Sequence, residues 1–484
     1  MKINNELQVK NIKDIVLTIS LLLILSIFST CIVSMIYTSS VSVFLNHYIE
    51  IILLAVCMFC VFSTLYAYFY YLSNNRVKTK KNVIILFSTV IVTLFISVAC
   101  VKYINVWVAP IAISAVVVGL LVSRSTGFIA NLAVSILLIL ITGMLEYDVY
   151  GNTFAFLESS YSLIVATIES FCIMYLVKKN YTRFKLIFGS LAIGAIVSLL
   201  AIVLALSLKL DIKYALICYA YSFVSTCLSA VGFTLIIPFY EEVFNVWTNF
   251  KLAEACCLSR PLLKKLATEA PGTFNHSIIV SNLAEACAIA IGENPYLAKA
   301  CGIYHDVGKV QNPEFFVENQ AYGYNPHDDL IPEHSARMII SHCSLGYDML
   351  KKARLPEEIA VIAKEHHGTT HATYFYNRAK AVNGGELDDT GYRYDGPKPT
   401  SKIAVIIMIA DGVEAATRAK SPKDTDELVK IIDSIIDSKI KDNQFSDADI
   451  TFSDLDEIKH TILKVIPAVY HKRIDYQKAS DLSK

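Results

Sequence analysis

From Ile15 to Tyr240 the chain is a succession of long apolar runs separated by short polar loops, and this most narrows the folds open to it. The hydrocarbon core of a bilayer is about 30 Å thick, and an α-helix needs roughly 20 apolar residues to cross it. Inside that layer every backbone N–H and C=O must be satisfied within the chain, so the runs are read as helices. Eight candidate spans lie near 15–37, 49–72, 83–101, 105–123, 127–145, 161–177, 185–208 and 214–239. The first is too long for a cleaved leader and has no small-residue cleavage site, so it is read as an anchor.

Basic residues orient the spans. With the N-terminus inside, the inner segments carry Lys2, Lys10 and Lys13, then Arg76, Lys78, Lys80 and Lys81, then Arg124, then Lys178, Lys179, Arg183 and Lys185. The outer loops carry only Lys102, Lys209 and Lys213. Eight crossings return the chain to the cytoplasm before Glu241, so both termini are expected there. No outer loop is long enough for an external domain. Glu169, in mid-span, is the ionisable residue to watch, because such positions are functional or fix helix packing.

Charge divides at the same point. Residues 1–240 hold 15 basic and 8 acidic side chains, whereas the remainder holds 28 and 35. An acidic second half is a poor non-specific binder of DNA or RNA polymers. Seven of the 12 cysteines lie in the apolar half, and no spacing suggests a disulfide framework, which suits a reducing cytosol. The expected architecture is all-α: a tail at 1–13, a multi-span bundle at 14–240, a connecting helix at 241–266, a helical core at 267–420 and C-terminal helices at 421–484.

Eight of the 11 histidines fall between His276 and His371. His276, His305-Asp306, His342, His366-His367 and Asp411 each follow or lead apolar residues at helical spacing, which turns them toward a core. One inward histidine is ordinarily a satisfied core residue. So many imidazoles and carboxylates together would each cost several kcal/mol if left unpaired, and metal ions are the natural compensation. Seven N/O ligands exceed the four of a structural zinc site. They suit two divalent ions that share Asp306, an arrangement able to clamp a phosphoryl group and activate a water. Imidazole with carboxylate favours Mn or Fe, with Zn or Co as alternatives.

The pattern His276…His305-Asp306-Val-Gly-Lys309…His342…His366-His367…Asp411 resembles an HD-domain phosphohydrolase of the two-metal kind. Further stretches resemble the seven-transmembrane HD family of the PgpH type: Thr268 to His276, Glu318-Asn-Gln, Asn325-Pro-His-Asp328, His366-His-Gly-Thr369, Gly396-Pro-Lys-Pro399, Ala410 to Ala415, Ile450 to Leu455 and His471-Lys-Arg-Ile474. The resemblance implies a membrane-bound phosphodiesterase that opens cyclic di-AMP to pApA. It also implies an extracellular domain after the first span, where this chain has only a short loop near Thr38–Tyr48. The related family that acts on cyclic di-GMP carries Gly-Tyr-Pro after its paired histidines. Here Gly-Thr-Thr-His follows them, and Gly346-Tyr347-Asp348 lies upstream without the proline. A cyclic di-GMP phosphodiesterase is one alternative, and a nucleotide-binding membrane receptor without turnover is another.

On this resemblance His276, His305, Asp306 and Asp411 hold one ion, and Asp306, His342, His366 and His367 the other. Asp306 and Lys309 are the catalytic candidates, Lys309 contacting the phosphate or aiding the leaving group. Lys398, stiffened between two prolines, Thr369 and Asn325 are candidate substrate contacts. His327, His334 and His371 are read as supporting or surface residues, and Asn383–Tyr394 as a mobile loop. The expected partners are a cyclic dinucleotide and the lipid bilayer, and a homodimer is compatible with such a chain.

Overall fold

A computed structural model describes residues 12–38, 48–73, 78–145, 153–177, 182–320, 324–383 and 388–469. Among these residues the regular structure is helical, with one isolated β-bridge between His371 and Arg393. The chain divides into two compact units, residues 1–250 and 251–484.

The first unit holds α1 (Ile12–Thr38), α2 (Tyr48–Ala67), α3 (Lys80–Tyr103), α4 (Ala112–Leu121), α5 (Arg124–Leu145), α6 (Thr153–Val177), α7 (Arg183–Val197), α8 (Leu199–Ser207) and α9 (Ile212–Val243). Seven stretches here are long and apolar enough to cross a membrane, with α7 and α8 counted as one. They carry exposed Ile, Leu, Val and Phe along their outer faces, a surface that a soluble domain does not tolerate at this extent. The protein is a multi-span membrane protein.

The eighth expected span, near 105–123, differs from the others. It begins as a single 3₁₀ turn at Val106–Val108 and continues as α4, which has only 10 residues. At 1.5 Å per residue α4 rises about 15 Å, roughly half the apolar layer. Nine of its residues are buried against neighbouring helices, which explains why it is apolar all round. Glu169 is buried as well, with its Oε1 unpartnered. Glu158, unremarked in the sequence, accepts from Trp107 Nε1 and from Tyr214 Oη, each at 2.9 Å.

The expected single helix over 241–266 is in fact three pieces. Helix α9 ends at Val243, α10 runs Asn249–Ala255 and α11 runs Pro261–Glu269. Asn245 takes a left-handed backbone, φ 45°, in the first break, and Pro261 opens α11 where its missing N–H costs nothing.

The second unit continues with α12 (Pro271–Ala290), α13 (Pro295–Tyr304), α14 (Pro332–Lys352), the short α15 (Glu357–Ala360) and α16 (Ile362–Glu365), α17 (Thr373–Asn383), α18 (Lys402–Lys420), α19 (Thr425–Lys441) and α20 (Phe452–Val469). Helix starts are written in the sequence. Asn294 caps Tyr296 and Leu297 ahead of Pro295, Ser401 caps Ala404, and Asp424 caps Glu427. Helix α12 packs on α13, α18 and α20, and the run Ile403–Ala410 of α18 is buried throughout. Of the expected mobile loop, residues 384–387 lie outside the described residues. Its second half is tied down: Tyr392 Oη donates to Glu333 at 2.6 Å and Arg393 Nε to Asp389 at 2.9 Å. The stretch His471 to Ile474 and the basic residues Lys2, Lys10, Arg76, Lys178 and Lys179 also lie outside the described residues.

Candidate metal centre

Five helices deliver the candidate ligands. His276 sits in the second turn of α12, His305 caps α13, His342 lies midway along α14, His366 caps α16, and Asp411 lies on α18. Asp306 starts a 3₁₀ segment, Val307–Gln311, that packs on α14. Gly308 makes this packing feasible, because a Cβ there would stand 2.0 Å from the His342 carbonyl oxygen. Gly368, just after the paired histidines, has φ +56°, a conformation that glycine adopts without strain.

Asp306 lies at the centre, 1% exposed. Its Oδ2 is 3.3 Å from His305 Nε2 and 3.6 Å from His276 Nε2. Its Oδ1 is 3.3 Å from His342 Nε2 and 3.5 Å from His366 Nε2. Asp411 closes the Oδ2 side, with Oδ1 3.0 Å from His276 Nε2 and 3.9 Å from His305 Nε2. His367 faces the other oxygen of Asp411, its Nδ1 3.9 Å from Oδ2. All seven expected residues therefore come together, and the two oxygens of one carboxylate face two different pairs of imidazoles.

Main-chain carbonyls fix three of the rings. The Nδ1 of His305 lies 2.7 Å from Gly302 O, that of His342 2.6 Å from Ile339 O, and that of His366 3.1 Å from Ile362 O. A carbonyl can only accept, so each Nδ1 carries a proton and Nε2 is the ring nitrogen turned inward. His276 is held by a carboxylate instead: its Nδ1 meets Glu414 Oε2. A ring nitrogen backed by a carboxylate is the usual support for a metal-binding histidine. Glu414 was legible as the residue one helical turn beyond Asp411, a signal that ligand counting alone does not use.

Both oxygens of Asp306 and Nε2 of His305 are buried without a hydrogen bond, although the Lys309 ammonium stands 2.7 Å from Oδ2 as an ion pair. Orphaned polar atoms of this kind are expensive unless something else binds them. A cation among them satisfies all three, so the residues fit a divalent metal. The electrostatics agree. Burial raises a carboxyl pKa, yet His305 and Lys309 hold Asp306 well below the usual range. Burial likewise opposes a charge on His305, but Asp306 and Asp411 outweigh it and raise its pKa. Burial pushes His366 down to about 4, where its lone pair is free.

The remaining candidates are placed as follows. Lys309 Nζ is 2.7 Å from Asp306 Oδ2 and 2.9 Å from Glu318 Oε1, and lies over the Phe316 ring. Its ammonium is engaged from two sides. Thr369 is paired with Gln444, which accepts from the Thr369 N–H and donates to its hydroxyl, both at 2.9 Å. Asn325 Oδ1 caps the backbone of His327 at 3.2 Å and accepts from Gln320. Lys398 Nζ lies 3.3 Å from Ser446 Oγ. His327 is buried with Nε2 2.9 Å from Phe315 O, His371 pairs with Asp389 at 2.7 Å, and His334 is exposed. Tyr394, not singled out in the sequence, lies with its ring 4.2 Å from that of His367.

An all-α unit that gathers His and Asp around one shared carboxylate, on a chain that also carries a multi-span membrane region, falls in the class of membrane-linked helical metal-binding domains. Residues 273–416 match the HD domain family, and residues 48–248 match the family described as 7TM receptor with intracellular HD hydrolase. The chain is thus similar to the seven-transmembrane HD family in its first unit and to the HD domain family in its second. It is 35% identical over 426 residues to the cyclic-di-AMP phosphodiesterase PgpH of Bacillus subtilis (strain 168), covering 85% of this chain and 58% of that protein. It is 44% identical over 246 residues to the cyclic-di-AMP phosphodiesterase PgpH of Listeria monocytogenes serotype 1/2a (strain 10403S), covering 51% of this chain and 34% of that protein. The crystal structure of the L. monocytogenes PgpH HD domain in complex with cyclic-di-AMP is 45% identical; it covers 45% of this chain and 100% of that chain, with a TM-score of 0.43. The chain thus spans about a third to somewhat over half of the length of these two relatives. Between α1 and α2 it has residues 39–47, the short loop that departs from the extracellular domain the family resemblance implies.

Proposed function

We propose that this chain is a metal-dependent phosphodiesterase of the cell membrane that hydrolyses cyclic di-AMP to pApA. One observation carries the chemistry: the buried carboxylate of Asp306 turns each oxygen toward a separate pair of imidazoles. The relatives named as cyclic-di-AMP phosphodiesterases support the substrate.

In this reading His276, His305, Asp306 and Asp411 hold one divalent ion, and Asp306, His342, His366 and His367 the other. Such a pair, Mn or Fe by donor type, supplies Lewis acidity to the phosphodiester and lowers the pKa of the attacking water. The chain does the positioning. Gly302, Ile339 and Ile362 carbonyls lock three imidazoles with Nε2 inward, and Glu414 locks a fourth. Lys309, clamped by Glu318, holds Asp306 in place and keeps positive charge beside the reacting phosphate. Lys398, on the segment after Gly396, reaches a phosphate of the substrate, while Thr369 and Asn325 shape the walls through Gln444 and Gln320.

The domain order is read as a tail at 1–13, spans over 14–240, a connector at 241–266 and the hydrolase at 267–484, with both termini cytoplasmic. Full-length protein in detergent, stripped of metal and reloaded with Mn or Fe, is the test. Cyclic di-AMP is expected to be cut at least about tenfold faster in kcat/KM than cyclic di-GMP, a difference of about 1.4 kcal/mol. Equal or reversed rates would reject the substrate, and binding of the nucleotide without product would support a receptor.

A further inference from the structure

The His/Asp centre is sealed on one side and open on the other. The side chains of His276, His305, Asp306, His342 and His366 are at most 2% exposed, whereas those of Asp411 and His367 are 14% and 22% exposed. Among the described residues the centre therefore meets solvent past Asp411 and His367, and a phosphodiester approaches from there.

Helix α19 borders that opening. Its Ile435 packs on Gly412, the residue after Asp411: a Cβ on Gly412 would stand 3.3 Å from Ile435 Cγ2. Lys439 follows Ile435 by four residues, which puts it on the same helix face one turn further on. The Lys439 carbonyl accepts from Gln444 N at 2.9 Å, and the Gln444 side chain is bound to Thr369, two residues after His367. Lys439 thus stands between the segment that carries Asp411 and the segment that carries His367.

Its charge has no partner in place. Lys430 and Lys441 of the same helix are exposed, but Lys439 is half-buried. Among the described residues no hydrogen bond or ion pair engages its ammonium, whereas Lys309 is ion-paired twice and Lys398 meets Ser446. Burial pushes the Lys439 pKa below the ordinary lysine value, against the longer-range pull of Asp411 and Asp442. Asp442 is already engaged by Arg393 and Gln444, and Asp411 is assigned to a metal ion in the proposed function. A half-buried ammonium left this way is stabilised by an anion that arrives from outside.

We propose that Lys439 is a substrate-binding residue, which holds the phosphodiester as it enters past Asp411 and His367. It acts as a fixed positive charge and exchanges no proton with the substrate. Lys439 lies beyond residues 273–416, the part that matches the HD domain family, so metal-ligand spacing does not reach it. This deepens the proposed function and rests on its anionic substrate.

Full-length protein in detergent, loaded with Mn(II), is assayed with cyclic di-AMP. Lys439→Met should raise KM by about tenfold and leave kcat within about twofold, as expected for the loss of one charge-assisted contact made in the ground state and transition state alike. Lys439→Arg should restore most of the loss, and both variants should keep the metal content of the parent. The KM of the parent should also rise more steeply with ionic strength than that of Lys439→Met, an effect that a packing role does not produce. An unchanged KM in Lys439→Met, or a raised KM with the parent's salt dependence, would overturn the proposal. Should Lys439→Met fail to fold, the unmodified protein decides: reductive methylation of Lys439, read by peptide mass, is slowed by cyclic di-AMP if the ammonium meets the phosphate, and an unchanged rate refutes the contact. If the parent leaves cyclic di-AMP uncut, the proposed function falls, and the same labelling with inorganic phosphate judges Lys439 alone: protection keeps it as a phosphate-binding residue, and no protection removes it.

Discussion

Among the described residues Asp306 is the carboxylate that turns each oxygen toward a pair of imidazoles, and Asp411 does not replace it, because its Oδ1 faces His276 and His305 while its Oδ2 meets His367 alone, at 3.9 Å. Asp306→Ala is expected to lower bound metal to one ion or none per chain and to abolish hydrolysis; metal analysis and a nucleotide assay read both. Near-normal activity in metal-replete buffer would sink the assignment. Glu414 acts through His276 and touches no substrate. Glu414→Gln should weaken the Oδ2-side ion by roughly 10–100-fold, measured by titration calorimetry, with the circular dichroism of the protein unchanged. A third expectation concerns protons. His305 is held protonated above its ordinary pKa, whereas coordination needs it neutral. Metal binding at pH 7–8 should therefore release protons, seen as a dependence of binding enthalpy on the buffer. The sign follows from Asp306 and Asp411, whose negative charge is shared by a proton before the metal arrives and by the metal afterwards. Release of no protons would mean that His305 is already neutral. The convergence of the seven His and Asp residues was legible in the sequence because imidazole and carboxylate on apolar helical faces are costly without a partner. Glu414 stood one helical turn beyond Asp411 in the sequence, but a glutamate on a helix is common and only geometry shows that it meets His276 Nδ1.

Among elements, the 3₁₀ segment after Asp306 depends on closeness to α14. Gly308→Ala would place a Cβ 2.0 Å from the His342 carbonyl oxygen and 2.6 Å from the Gly346 nitrogen, both backbone atoms that cannot rotate away. The strain should cost about 1–3 kcal/mol and separate Asp306 from His342. A lower thermal midpoint together with weaker metal binding is expected, and an unchanged midpoint would show that the segment can shift freely. Helix existence was readable from apolar runs and caps such as Asn294-Pro295 and Ser401. Helix length was less so: the run at 105–123 counts as apolar throughout, but a periodic count cannot see that Val106–Val108 is a separate 3₁₀ turn or that burial inside a bundle needs no full span. The break after Val243 escaped for a similar reason, since Phe244 to Thr248 contains no proline or glycine.

For the molecule as a whole, the number of crossings decides on which side the hydrolase lies. Within 48–248, six long apolar stretches are found, and the seven of the family's description are reached only when Val106–Leu121 is counted. With α1 that count becomes eight, and on it rests the proposal that both termini lie on one side. Reporter fusions after Lys484 and at the N-terminus should both report the cytoplasm, and opposite reports would mean that α4 turns back within the bilayer. Where the soluble domain begins can be stated too. Tyr304, one residue before His305 and 2% exposed, donates its hydroxyl to the carbonyl of Ala255 at 2.8 Å. A fragment starting at Lys251 keeps that bond; one starting at Ala267 strands a phenol in an apolar interior at a cost of about 1–3 kcal/mol. The shorter fragment should melt at lower temperature and lose metal sooner. A protease that nicked the chain between Ala255 and Ala267 would break the covalent link yet leave α10 held by Tyr304, so cleavage alone need not release the HD domain.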